Sequence, residues 1–107
     1  MERTELIVTL VTVPTAELAE IIANKLVTER LAACVNILPG VRSIYSWKGK
    51  VEEAGELLLL IKTKRAHYAE LEARIRELHS YDTPEIVAIE ACAVFEKYLN
   101  WVETETT

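Results

Sequence analysis

The run Leu57-Leu58-Leu59-Leu60-Ile61 constrains the fold more than any other feature of the chain. Successive residues of a strand point to opposite faces, so an unbroken apolar run puts oil on both sides of a sheet. The run is also far short of the ~20 residues that cross a bilayer. Glu5 to Val13 (ELIVTLVTV) repeats the signal: it is rich in β-branched residues and apolar on both parities. Two strands of this kind need a partner layer above the sheet and another below it.

Between and after them the pattern changes period. Pro14 stops the first strand, and Thr15 is placed to cap a helix, with Glu17 in its first turn. Leu18, Ile22 and Leu26 recur at helical spacing, with Lys25, Glu29 and Arg30 on the other face, which predicts an amphipathic helix ending near Leu31. Ala33 to Leu38 is the second strand. Pro39-Gly40 bends or bulges it, and it continues from Val41 to Trp47, with Val41, Ser43, Tyr45 and Trp47 on one face. Lys48-Gly49 is a tight turn, and Lys50 to Thr63 returns as the third strand, polar in its outer half, with Gly55 marking a bulge. Lys64 to His79 is a second amphipathic helix, built on Tyr68, Leu71, Ile75 and Leu78. After a loop from Ser80 to Pro84, Glu85 to Val94 is the fourth strand. Phe95 to Val102 closes the order as a short helix with Phe95, Tyr98 and Val102 at helical spacing.

The succession β-α-β-β-α-β followed by a helix predicts an α+β fold of ferredoxin-like type, with two helices on one face of a four-stranded antiparallel sheet. At 107 residues, half of them hydrophobic and 27% charged, the chain is read as one domain over residues 1–107. The second face of the sheet is then left greasy and bare. Each arm of the β2–β3 hairpin runs about 13 residues, or roughly 40 Å, against about 35 Å for the diameter of such a domain. An overhanging ribbon is marginal in water, and Tyr45 and Trp47 on it are the large aromatics that anchor interfaces. The bare face and the arm are therefore expected to be covered by self-association.

The net charge of −5, without a Lys/Arg block, excludes a nucleic-acid binder, and no apolar run reaches a membrane. The acidic N-terminus, Met1-Glu2-Arg3-Thr4-Glu5, lacks the basic start of a secretory signal, so a cytoplasmic protein is expected. Cys34 and Cys92 form no CxxC pair and are read as small buried thiols inside strands. Enzyme chemistry finds little support: Gly40, Gly49 and Gly55 cannot build a phosphate loop, and neither HExxH nor a nucleophile elbow is present.

Four segments, in order, carry a family resemblance: Glu29 to Glu53 (ERLAACVNILPGVRSIYSWKGKVEE), Glu56 to Thr63 (ELLLLIKT), Leu78 to Ile89 (LHSYDTPEIVAI) and Tyr98 to Val102 (YLNWV). Together they resemble the CutA divalent-cation-tolerance family over nearly the whole chain. The resemblance implies a cytoplasmic, non-enzymatic homotrimer with a ferredoxin-like fold, whose hairpins wrap neighbouring subunits. It also implies a part in tolerance to divalent metals, some members binding copper(II). The histidine ahead of the Tyr-x-Thr-Pro-Glu motif is the copper-ligand candidate, here His79. Some members carry a second histidine and a cysteine where this chain has Leu78 and Val11, so two of three candidate ligands are absent.

His79 therefore has two readings, a structural role at the negative end of the second helix and a metal ligand completed by Glu85 or by symmetry. His67 is read as a surface histidine. Tyr81, Thr83 and Glu85, with Lys62, are expected to line a cleft between subunits, and Tyr45, Trp47 and Trp101 to anchor the trimer interface. A divalent cation, copper among them, is the ligand class favoured. The rival is a signalling or scaffold module resembling the PII proteins, which would bind a small metabolite in that cleft.

Overall fold

The computed structural model describes residues 5–107. The elements follow as β1 (Leu6–Val13), α1 (Ala16–Thr28), β2 (Cys34–Trp47), β3 (Lys50–Lys64), α2 (Tyr68–Leu78), β4 (Ile86–Glu90) and α3 (Glu96–Glu105); a short 3₁₀ turn over Arg65–His67 leads into α2. The strands form one antiparallel sheet in the order β2-β3-β1-β4. The succession and the strand order are those of the ferredoxin-like arrangement predicted from the pattern.

Register explains why the apolar runs are two-sided. Val11 pairs with Leu59 and Thr9 with Ile61, and this face packs on Ile22 and Leu26 of α1 and Leu71 and Ile75 of α2, all fully buried. The alternate residues point to the second face, which is not wholly bare. Val102 of α3 packs there with Leu6 and Ala33, flanked by Tyr98 and Leu99. The expectation that helices cover one face only is corrected at this end of the sheet. Elsewhere the face stays open: Val87 and Ile89, the partners of Leu10 and Val8, are 50% and 53% exposed.

Helix ends follow local chemistry. The Thr15 hydroxyl accepts from the Leu18 N–H at 3.1 Å, as the cap reading required. α1 stops at Thr28, short of the expected Leu31. Arg30 takes a left-handed φ of 62°, its N–H donates to Val27 O and that of Leu31 to Leu26 O, a Schellman closure with arginine where glycine is usual. The Arg30 guanidinium then donates to the carbonyls of Thr104 and Thr107, tying the end of α3 to the end of α1.

The hairpin has the anticipated turn, with Lys48 at φ 50° and Gly49 at φ 79°, and the bulge lies between Leu38 and Val41, where Gly40 has φ 80°. Gly55 pairs in register with Arg42, so the bulge expected there is absent. The protein measures 44 × 31 × 24 Å. Ile44 and Val51, on the hairpin, are strongly exposed.

β4 is shorter than predicted. It ends at Glu90, beside the start of β1 at Leu6, whose carbonyl accepts from the Ala91 N–H. Cys92 is exposed and not a buried strand thiol, while Cys34 is half-buried. Phe95, expected to begin the last helix, is the residue ahead of α3 and is 73% exposed.

Candidate functional site

Three segments converge beside the hairpin. The end of β1, the outer half of the hairpin and the loop from Ser80 to Glu85 enclose an open cleft of about 750 Å³. Tyr81, Thr83 and Glu85 line it, and so do Tyr45 and Trp47 from β2; the cleft expected for the first three lies between subunits, whereas this one is enclosed by a single protomer. Lys62 does not line it. It lies on the second face of the sheet, six residues along β3 from the cleft residue Glu56, and its ammonium group bonds to Asn36 Oδ1 and to the Leu60 carbonyl. Trp101 is also elsewhere, on α3, its ring 5.6 Å from that of Tyr98 and 44% exposed.

A chain of hydrogen bonds joins the cleft residues Thr12, Tyr81 and Glu56 through His79, which does not itself line the cleft. This residue caps α2, is buried, and its Nε2 lies 2.8 Å from the Thr12 carbonyl. Its Nδ1 accepts from the Tyr81 N–H at 3.0 Å. Because Nδ1 accepts, the Nε2 proton must serve Thr12, which fixes the neutral tautomer. The protonated imidazole anticipated at the helix end is therefore not the form this geometry holds. Nor is either nitrogen free to ligate a metal while the Tyr81 N–H stays in place. Among the described residues no group of three or more His, Cys, Asp or Glu side chains is gathered to hold a metal ion within one protomer.

Tyr81 continues the chain. Its hydroxyl donates to Glu56 Oε2 at 2.9 Å, and its ring lies 4.8 Å from the imidazole. Burial, together with that bond to a carboxylate, pushes the phenol up to about 12. Glu56 is only 8% exposed. Sequence reasoning missed it, placing it in a polar, wet half-strand, because its partner lies 25 residues away and nothing local signals the pairing.

His67, read as a surface residue, is half-buried, and its Nε2 meets the Thr106 carbonyl past the end of α3. It belongs to the clasp on that helix and takes no part in the cleft.

Comparison with known proteins decides the family. A family model described as CutA1 divalent ion tolerance protein matches residues 7–105. This chain belongs to the CutA1 family. It is 50% identical over 99 residues to "Divalent-cation tolerance protein CutA" of Thermus thermophilus, covering 92% of this chain and 96% of that one. It is 44% identical over 100 residues to "Protein CutA, chloroplastic" of Arabidopsis thaliana, where the match covers 94% of this chain and 55% of the plant protein. The solved structure of the Thermus thermophilus divalent cation tolerance protein superposes with a TM-score of 0.93 at 49% identity, covering 95% and 99% of the two chains. The resemblance carried by the four sequence segments is thus a CutA membership, and the family is named for tolerance and not for a catalysed reaction. Among the described residues no helix is long and apolar enough to cross a membrane.

Proposed function

We propose that this CutA-family chain serves divalent-cation tolerance without catalysis, as a homotrimer that binds a divalent cation such as copper(II) reversibly at its cleft. The observation that carries this reading is the charge of the lining: Glu56, Asp82 and Glu85 are present, and no lysine or arginine is. Such a cleft attracts cations and repels anions, which counts against an anionic metabolite and hence against much of the PII-like alternative. Glu85, exposed at the mouth, is the first donor offered to an entering ion. His79 becomes a ligand through Nδ1 once the Tyr81 N–H withdraws from it. Two donors bind weakly, so a neighbouring copy completes the set.

Self-association is supported by the half-exposed Val87 and Ile89 on the second face, by Ile44, Tyr45 and Trp47 on the arm, and by the half-exposed Trp101 on α3 as a further anchor. Both free thiols fit a reducing, cytoplasmic setting for this chain.

Calorimetric titration with copper(II) and zinc(II) tests the metal reading. Binding tighter than about 100 μM is expected, weakened at least tenfold by Glu85→Gln and by His79→Ala. No binding in that range, or binding indifferent to both substitutions, overturns it.

A further inference from the structure

The cleft holds more chemistry than a metal ion uses. Beside its three carboxylates stand three aromatic rings, Tyr45, Trp47 and Tyr81. A hard divalent cation takes oxygen ligands and gains nothing from rings. An anion is repelled by the carboxylates. We propose that the cleft is a binding site for a small organic cation, an ammonium head group seated against the aromatic rings with its charge balanced by Glu56, Asp82 and Glu85.

Three observations carry this assignment. The first is charge left without a counterpart: no described lysine or arginine forms an ion pair with any of the three carboxylates. Glu56 is more than nine-tenths buried, and its hydrogen bond partner is the neutral Tyr81. A buried carboxylate without a cation is costly, and a bound cation relieves that cost. The second is electronic. The Tyr81 hydroxyl donates to Glu56, which pushes electron density back into the phenol ring and deepens the negative potential on its faces. The third is the protein's own stand-in. The Lys48 ammonium lies 5.8 Å from the centre of the Trp47 ring, so this tryptophan already receives an ammonium ion at one side. Aromatic rings joined by carboxylates are the setting in which ammonium ions are recognised, because a ring face offers a negative potential that does not demand stripping a tightly held hydration shell. The volume of about 750 Å³ is within the range of small-molecule sites and admits a ligand larger than a bare ion.

The site uses the rings as well as the acids, so it does not depend on the metal reading and fails separately from it. The probes are tetramethylammonium chloride and 1,4-diaminobutane hydrochloride, titrated calorimetrically into the full chain in its own assembly state, with potassium chloride at equal ionic strength as the blank. A saturable response with a dissociation constant of about 1 mM or tighter is expected for at least one probe. Trp47→Leu and Glu85→Gln should each weaken it at least tenfold; Glu85 is exposed, so the second variant keeps its fold even if the first does not. Heats no different from potassium chloride overturn the proposal, and so does saturable binding that survives either substitution. Copper(II) titration of Trp47→Leu separates the two readings. Loss of the ammonium response with metal binding kept supports the proposal, and an ammonium response kept in that variant overturns it whatever the metal does.

Discussion

Thr9 and Thr63 lie in the core between sheet and helices, fully buried, and neither hydroxyl has a hydrogen bond partner. An unpaired buried hydroxyl costs its desolvation, so Thr9→Val or Thr63→Val should each raise stability by about 1 kcal/mol in denaturant unfolding. Arg30 offers the converse test. Its left-handed backbone is strained by about 1 kcal/mol, and its guanidinium holds the end of α3. Arg30→Ala keeps the strain and drops the tie, and should lower stability by about 1–2 kcal/mol. Arg30→Gly drops both, and should fall about 1 kcal/mol less far. At Tyr81 the phenol sits at about 12 in the folded protein against 10.0 for the free group, so the unfolded chain ionises first. The stability it contributes is complete below pH 10 and is lost as pH climbs toward 12. Glu56→Gln should move the tyrosinate absorbance transition down and shrink that alkaline loss. Sequence reasoning singled out Tyr81, Thr83 and Glu85 because a Pro-containing polar segment is locally visible, and the family motif, not the local pattern, assigned them to a cleft between subunits. It missed Glu56, whose burial is decided by a contact across the fold.

Elements were more legible than their ends. The two-sided strands, both amphipathic helices and the Lys48-Gly49 turn follow from periodicity and turn chemistry, which are local. β4 was overdrawn: it ends at Glu90, beside the start of β1, a fact of register that its own residues do not carry. α3 was located in the chain but not on the second face of the sheet, since its apolar stripe does not say which surface it meets. The glycines separate local strain from mere presence. A Cβ at Gly40, Gly49 or Gly55 meets nothing, so backbone angle alone decides the outcome. Gly49→Ala, at φ 79°, should cost about 1 kcal/mol, whereas Gly55→Ala, in ordinary strand, should gain about 0.5 kcal/mol. The two helices on the first face are joined by the Arg74 guanidinium, which grips Glu29 at 2.9 and 2.8 Å and holds its carboxyl below 4.5. The benefit of that grip is present above pH 4.5 and fades as Glu29 is protonated below it.

For the whole molecule, the arm and the second face set the question. Ile44 is 68% and Val51 79% exposed on a two-stranded ribbon, apolar surface that the proposed self-association would cover. The cleft residues Tyr45 and Trp47 stand on that same ribbon, so assembly and ligand binding share a structural element. The length of the hairpin was legible from the strand pattern alone, whereas the number of copies was implied by family resemblance and by no pattern in the residues. Sedimentation equilibrium at micromolar concentration tests this most directly. A mass three times the 12.1 kDa of one chain is the expected result. A stable particle of 12.1 kDa would contradict it.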